Sequence, residues 1–494
     1  MSPALEGFFQ GLARYSDRLA LVEAGRQIDY AGLVDEIGAR AGILRQAGAR
    51  RLALALDNGI DWVLWDLAAL NAGVVCVPLP GFFSSDQQRH VLDSAGVDSL
   101  IVADLGQYGQ WGFGETAAGL FQRPLGEIVE LPPGTVKITY TSGTTGQPKG
   151  VCLDADLQLR VAHSLWQSSL PCQVERHLCV LPLATLLENI AGVYAPLLAG
   201  ASIELMPMAQ IGLRGASQFD LPSFLGSLGR VQPHSLILLP QLLLALVTAA
   251  ERGLPVPGSL RFVAVGGGRV APQLLEHAEA LGLPVYEGYG LSECASVVCL
   301  NAPGQRQAGT VGKPLGHVEV QLAVDGEVLV KGAQMLGYVG EPGLSCEWLA
   351  TGDLGHFEGE YLVLHGRKKH QFITAYGRNV NPEWVEAELV QQLPIAQAWL
   401  QGEAQPANVA VVVPRFASTT DAEIAGAIAE VNLRLPDYAR VHHWVRAREP
   451  FAAGNGLATA NGRLRRAALN QQYQSAIAEC LAAVPLQGVT DGIF

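Results

Sequence analysis

Charged residues are scarce in this chain of 494 residues, at 16% against 49% hydrophobic. So much apolar content with so little charge argues against general disorder and for a folded body with a large core. Basic residues are the scarcer sign: 33 lysines and arginines face 46 aspartates and glutamates, for a net charge of −13. No basic arm or run offsets that balance, which argues against nucleic-acid binding. The cysteines, at 76, 152, 172, 179, 294, 299, 346 and 480, form no CxxC pair and no cluster with histidine. They read as reduced thiols in a cytoplasmic protein, not as a disulfide frame or a zinc site. In the opening MSPALEGFFQGLARYSDR, Glu6, Arg14 and Asp17 interrupt any apolar core, so no export signal is expected. Long hydrophobic runs are missing too. The nearest, Ser235 to Glu251, carries Pro240 and Gln241 near its start and closes on Glu251 and Arg252; it reads as a buried helix and not as a transmembrane segment.

What is present is a strand and helix alternation. Arg51-LALAL, Asp61-WVLWDLAALNAG, Val74-VCVPL and Ser99-LIVAD follow one another as strand, helix, strand, strand. The pattern resumes at Arg176-HLCVLPL, Ala201-SIELM, Ser235-LILL, Arg261-FVAV and Pro284-VYEGYG. Such an order predicts parallel sheets covered by helices. From about Gly309 the texture turns to short β-like pieces, with Asp325-Gly326 as a tight hairpin turn. Beyond Gly366 a basic segment, Arg367-Lys368-Lys369-His370, precedes a mixed pattern with a helix from Pro382 and a strand from Asn408. The predicted fold class is therefore α/β: a large N-terminal domain of parallel-rich αβ subdomains plus a small β subdomain, then a small α+β C-terminal domain.

The densest chemistry lies in Thr141-Ser142-Gly143-Thr144-Thr145-Gly146-Gln147-Pro148-Lys149-Gly150, directly after the β-like Val136-KITY. Glycines let backbone N–H groups approach an anion, the hydroxyls donate further hydrogen bonds and Lys149 adds charge, a combination suited to polyphosphate. It is not a Walker loop, because the GxxxxGK[ST] register is missing and Gly150 stands where Ser or Thr belongs.

This string closely resembles the phosphate-loop signature of the adenylate-forming superfamily, which includes acyl-CoA synthetases, peptide-synthetase adenylation domains and luciferases. Further segments are similar to that superfamily's motifs, in its order, between Tyr30 and Arg466. Gly288-Tyr289-Gly290-Leu291-Ser292-Glu293 resembles its aromatic-Gly-x-Thr/Ser-Glu element. There Tyr289 would offer a flat face to adenine, Ser292 a hydroxyl to the α-phosphate and Glu293 a hard oxygen to Mg²⁺. Val265-Gly266-Gly267-Gly268 resembles the glycine strand-end lining the adenine and acyl pockets. Trp348-LATGD resembles the element whose aspartate, here Asp353, takes both ribose hydroxyls; Arg367 would assist, and Lys369 matches the pivot of the C-terminal domain.

The resemblance implies a domain of residues 1–366 with the ATP and acyl sites, a hinge at 367–369 and a mobile lid at 370–494. It implies ATP and Mg²⁺ as cofactors and a small-molecule carboxylic acid as substrate, activated to acyl-AMP with pyrophosphate release. The acceptor would be the thiol of coenzyme A, or phosphopantetheine on an acyl carrier protein in trans. Leu181-PLATLLEN, Arg367-KK, Gly377-RNVNPE and Asn455-GLATANGRLRR lean toward the long-chain acyl-CoA synthetases and so toward a medium- or long-chain aliphatic acid. Two positions depart from the pattern. Thr185 replaces a histidine near the acyl carboxylate, and Arg463 replaces the lid lysine that reaches carboxylate and α-phosphate during adenylation. Arginine keeps the charge but not the shape of an ammonium, so a slowed enzyme or a degenerate nucleotide-binding homologue are both open.

Overall fold

The computed structural model describes residues 2–117, 119–125, 129–141, 148–214, 218–459 and 462–482. They divide into two compact units, one of residues 1–351 with 356–363, the other of residues 352–355 with 364–494. The first unit is built on two large sheets. In one, Leu19–Glu23, Ser202–Glu204, Arg176–Leu178, Ser235–Leu238, Phe262–Val265 and Val285–Leu291 run parallel side by side. In the other, Ser99–Val102, Arg51–Ala55, Val75–Pro78 and Lys137–Thr141 do the same. Antiparallel strands appear only toward the edges of each sheet.

Parallel neighbours need crossovers, and the sequence supplies helices with their own start signals. Asp154 accepts from the Leu157 N–H to cap Ala155–Ser169, and Ser84 with Gln87 forms a capping box on Ser85–Ser94. The run from Ser235 is a strand followed by a helix: Ser235-LILL is extended as its place in the strand pattern predicts, and only the continuation is the buried helix. Ser235–Leu238 is a strand, Leu239 is extended, and the helix Pro240–Glu251 begins at the proline. Proline suits a first helical position because its missing N–H has no intrahelical partner to lose. Leu236 and Leu238 then pack with Leu243 and Leu246 of that helix in one buried cluster.

The second unit shows the period-two logic of a sheet covered on both faces. In its strands Ile395–Gln401 and Asn408–Pro414, Ala398, Leu400, Ala410 and Val412 join one cluster with Val385, Leu389, Ile424 and Ile428. Trp399, Val409, Val411 and Val413 join another with Phe451, Leu469 and Tyr473. Hence the unbroken apolar run at Asn408–Pro414. Among the described residues, no helix is long and apolar enough to cross a membrane, and all eight cysteines are free thiols.

One polar cluster ties a strand of the second sheet to the helix Ile60–Ala72 and to the π-helical segment Glu188–Tyr194. Lys137, 1% exposed, begins the strand that leads to Thr141, and its ammonium lies 2.9 Å from Asp66 Oδ1. It also donates to the Tyr194 hydroxyl at 3.0 Å and to Asn189 Oδ1. Asp66 in turn accepts from Tyr194 at 2.9 Å and from the Asn189 amide at 3.0 Å. Breaking a buried pair from one side leaves a charge without compensation, at a cost of about 3–5 kcal/mol. Asp66→Ala is therefore expected to lower unfolding stability by about that much, and the double change Asp66→Leu with Lys137→Met by less. Urea denaturation of both variants measures this; equal losses would mean that the charges are not coupled.

Candidate active site

The strands Lys137–Thr141 and Lys149–Leu153 pair antiparallel, with Thr141 opposite Lys149. Ser142, Gly143, Thr144, Thr145 and Gly146 lie outside the described residues; the ladder brings the two ends of their segment together. Gly150 is set by packing: a Cβ there would lie 2.7 Å from Val339, 2.9 Å from Ile138 and 2.9 Å from Tyr140. That crowding leaves no room for the serine or threonine of a Walker loop.

Lys149 is half-exposed, 3.3 Å from Glu341 Oε1 and 5.1 Å from the centre of the Tyr338 ring. The Tyr338 hydroxyl donates to Glu293 Oε1 at 2.9 Å. Strand pairing makes this possible, since Gly337–Tyr338 runs antiparallel beside Val151 and Cys152 and the Met335 N–H donates to the Glu293 carbonyl. A tyrosine thus stands between a cation and a carboxylate at the edge of the glycine-rich segment. Sequence reasoning named Lys149 and Glu293 but not Tyr338 or Glu341, whose only signal was an unassigned Gly337-Tyr338 after the hairpin. The Lys149–Glu341 pair, with both side chains about half exposed, holds by about 1 kcal/mol or less. An entering polyphosphate can outcompete it.

The strand Val285–Leu291 carries Gly288, Tyr289 and Gly290. A Cβ at Gly290 would sit 1.7 Å from the Ser296 carbonyl oxygen, so only glycine fits. Ser292 and Glu293 open a short 3₁₀ turn, and Ala295 and Ser296 after it have φ of 52° and 105°. Side-chain-bearing residues rarely hold such angles, and backbone strain of this kind concentrates at functional sites. Tyr289 is buried. Gly266 and Gly267 close the neighbouring strand: a Cβ on Gly266 would approach the Gly288 carbonyl at 3.4 Å, and Gly267 has φ +79°. The two glycine motifs therefore lie against each other. Beside them Glu287 is buried, and burial pushes its carboxyl up to about 8 although the Val270 N–H and Arg269 oppose the shift.

Thr185 spends its hydroxyl on the Pro182 carbonyl at 2.6 Å, and its own carbonyl accepts from the Asn189 N–H. The segment around it is clamped by Asn58, which bonds the Leu181 carbonyl and the Leu183 N–H, and by Glu188, which accepts from the Leu181 N–H. His177, Cys179 and Glu188 place donor atoms within 4.8 Å of one another. The His177 ring is bonded to Ser235 and Glu188 and the Cys179 thiol faces the Gly192 carbonyl, so the protein itself meets their bonding needs.

In the second unit Asp353, at 8% side-chain exposure, accepts from Arg367 Nε at 2.6 Å. Gly366 has φ +134° and lies so close to Asn381 that a Cβ would overlap its amide at 2.0 Å. Glu383 accepts from the Arg367 N–H at 3.0 Å and from His370 Nδ1 at 2.6 Å. Lys369, in the turn Lys368–His370, has its ammonium pulled down by burial and by the charges of Arg367 and Arg463. Arg463 follows Gly462 in a turn closed on Thr459 and is exposed. The structure thus gathers Asp353, Arg367, Lys369 and Arg463 into one charged group.

The sequence model of the AMP-binding enzyme family matches residues 8–339, and that of the AMP-binding enzyme C-terminal domain matches residues 369–484. The chain is similar to long-chain-fatty-acid–CoA ligase FadD15 of Mycobacterium bovis, 27% identical over 464 residues that cover 78% of this chain and 75% of that protein. It is also similar to 2-succinylbenzoate–CoA ligase of Bacillus licheniformis, 26% identical over 419 residues covering 78% and 84%. The solved O-succinylbenzoate coenzyme A synthetase (MenE) of Bacillus subtilis, in complex with ATP and magnesium ion, shares the fold with a TM-score of 0.75. That match covers 94% of this chain and 99% of the other at 24% identity.

Burial would raise the Glu383 carboxyl, but the bond and charge of His370, the Arg367 N–H and Arg466 outweigh it and hold it down at about 2. A carboxyl with a lowered folded pKa stabilises above its unfolded value and loses that contribution as pH falls toward the folded one. Glu383→Gln is expected to lower the melting temperature at pH 7. The gap from the unaltered protein should then shrink steadily from pH 4.5 toward pH 2, as followed by thermal scans; a gap constant over that window would refute the coupling.

Proposed function

We propose, because this chain belongs to the AMP-binding enzyme family, that it is an acid–thiol ligase which activates a carboxylic acid with ATP and passes the acyl group to coenzyme A. The observation that carries this reading is the Lys149–Tyr338–Glu293 arrangement at the ends of the glycine-rich segment. A cation for phosphate oxygens and a carboxylate for a hard metal ion stand on one tyrosine, beside a strand-end stripped of side chains. The carboxylate of Glu293, bonded by a neutral phenol, suits Mg²⁺, which when bound would neutralise polyphosphate charge.

In the first half-reaction the acid's carboxylate oxygen attacks the α-phosphorus of ATP, the bond to the bridging oxygen breaks and pyrophosphate leaves, giving acyl-AMP. Little covalent help is asked of the protein, so positioning and charge do the work. Thr141, Ser142, Gly143, Thr144, Thr145 and Gly146 cradle the phosphates with Lys149; Gly267, Gly288, Tyr289 and Gly290 receive the base; Ser292 meets the α-phosphate. Asp353 takes the ribose hydroxyls and Arg367 holds it in place. Arg463 supplies positive charge to the reacting carboxylate. In the second half-reaction a thiolate sulfur attacks the acyl carbon, the thioester forms and AMP departs, after the C-terminal unit has turned about Lys369.

We assign a medium- or long-chain aliphatic acid as substrate. The Leu181–Asn189 resemblance and the similarity to a long-chain-fatty-acid ligase support it. The similarity to 2-succinylbenzoate ligases favours a second reading, an aromatic acid. Labelled pyrophosphate exchange into ATP across aliphatic and aromatic acids tests both; exchange with aromatic acids alone would replace the first by the second. ATP binding with no exchange for any acid would mark a non-catalytic homologue, and thioester formation only on a pantetheinylated carrier would replace coenzyme A.

Loss of one placed charge contact costs about 10²–10³ in rate. Arg463→Ala is thus expected to slow exchange by at least about tenfold, and an unchanged rate would remove Arg463 from the mechanism. Lys369→Pro should impair thioester formation more than exchange; equal impairment would contradict the pivot.

A further inference from the structure

The helix Pro382–Val390 carries two acids three positions apart, and so on one face. Glu383 holds the Arg367 N–H and the His370 ring. Glu386, which is buried, takes both arms of the Arg466 guanidinium, Nη1 on Oε1 at 2.8 Å and Nη2 on Oε2 at 2.5 Å. Its Oε1 also accepts from the Leu400 N–H at 2.8 Å, which ties the pair to the strand Ile395–Gln401. The two half-reactions use neither Glu386 nor Arg466. A two-armed pair of this kind fixes direction as well as distance.

Arg466 opens the helix Arg466–Ala482 and stands three positions beyond Arg463. Between them runs one leg of a narrow hairpin. The Arg465 N–H donates to the Leu457 carbonyl at 2.9 Å and the Thr459 N–H to the Arg463 carbonyl at 2.7 Å. The Arg463 N–H donates to the Thr459 hydroxyl at 3.0 Å, and Ala458 pairs with Leu464. The outgoing leg is seated by packing, because Leu457 and Ala458 are buried in the cluster of Trp399 and Leu469. The returning leg is shallower, with Arg463 exposed and Leu464 and Arg465 half-buried, and its end is fixed by Arg466 on Glu386.

We infer that Glu386 and Arg466 are positioning residues, which together set the direction in which this hairpin presents Arg463 to the reacting carboxylate. This deepens the ligase reading and rests on it for the role of Arg463. A tilt of Arg466 moves every atom between it and the tip, and a displacement of about 1 Å at a charge that must meet a reacting group costs up to about a hundredfold in rate. Arginine sharpens the requirement, because its planar fork has a direction that an ammonium lacks. Since Glu383 and Glu386 share one helix, the turn that bears Lys369 and the hairpin that bears Arg463 are mounted on the same support within the unit.

The test combines labelled pyrophosphate exchange with amide hydrogen exchange on the unaltered protein, Arg466→Lys and Glu386→Gln. Lysine keeps the charge and loses the two-armed contact; glutamine still accepts from the Leu400 N–H but turns an amide NH₂ toward one arm of the guanidinium. With whichever of the aliphatic and aromatic acids exchanges fastest, both variants are expected to lower kcat at least about fivefold while KM for ATP moves less than about twofold. Thioester formation from supplied acyl-AMP and coenzyme A should stay within about twofold of the unaltered rate. In the Arg463→Ala background, Arg466→Lys should add less than about twofold, because residues that act through one group are not additive. The amides of residues 457–465 should exchange at least about fivefold faster in both variants, and those of the strand Asn408–Pro414 at their ordinary rate. Losses that multiply in the double variant overturn the proposal, as do equal losses in both half-reactions, an unchanged kcat in both variants, or an exchange rate that Arg463→Ala leaves unaltered. Hairpin amides that quicken no more than those of the strand overturn it too. Absence of exchange with every acid overturns the ligase reading alone, because the amides still report whether the pair holds the hairpin.

Discussion

Much of the first unit depends on one buried ammonium. Lys137 has almost no access to water, and a lone charge there would be prohibitive, so its strand is fixed wherever Asp66, Asn189 and Tyr194 can surround it. Those partners come from the helix Ile60–Ala72 and from the π-helical segment Glu188–Tyr194. The consequence is mechanical. The strand that ends at Thr141, and so carries the glycine-rich segment, is bolted to the stretch that continues Leu181–Asn189. A nonpolar cluster would bind more loosely in register, because apolar contacts tolerate sliding and a four-membered hydrogen-bond network does not.

Within each unit, rigid backbone carries exposed charges. Gly290, Gly150 and Gly366 are each wedged where a Cβ would collide with neighbouring atoms, so their elements cannot shift without unpacking. Lys149, Glu341 and Arg463, by contrast, are exposed or nearly so. An ion pair in water is weak and easily exchanged, so Lys149 can trade Glu341 for another anion at little cost. Asp353 is the intermediate case, buried and already oriented by Arg367 before any ligand arrives.

What could be read from the sequence follows the range of the interactions. The strand at Asn408–Pro414 and the hairpin turn at Asp325-Gly326 are local patterns, and both occur as expected. So do the strand–glycine junctions at 265–268 and 285–291. The run from Ser235 was harder, because an apolar segment of that length fits strand and helix alike until the proline is recognised as a first helical residue. Tyr338 and Glu341 stand nearly two hundred positions from Lys149, and no periodicity announces such a pairing. The Lys137 network is equally silent: four residues spread over positions 66 to 194 carry no spacing that marks them as neighbours.

The two departures from the family pattern are resolved differently by the same physics. Thr185 has already used its hydroxyl within its own turn, so the change from histidine removes a titratable group and leaves a stiffened backbone in its place. Arg463 instead keeps its charge on a turn that also bears the positive-φ Gly462. Its field reaches Lys369, whose ammonium it helps to push down, so the two cations repel each other within one unit. A longer, planar head group lowers the precision with which charge can be delivered but raises the distance over which it acts.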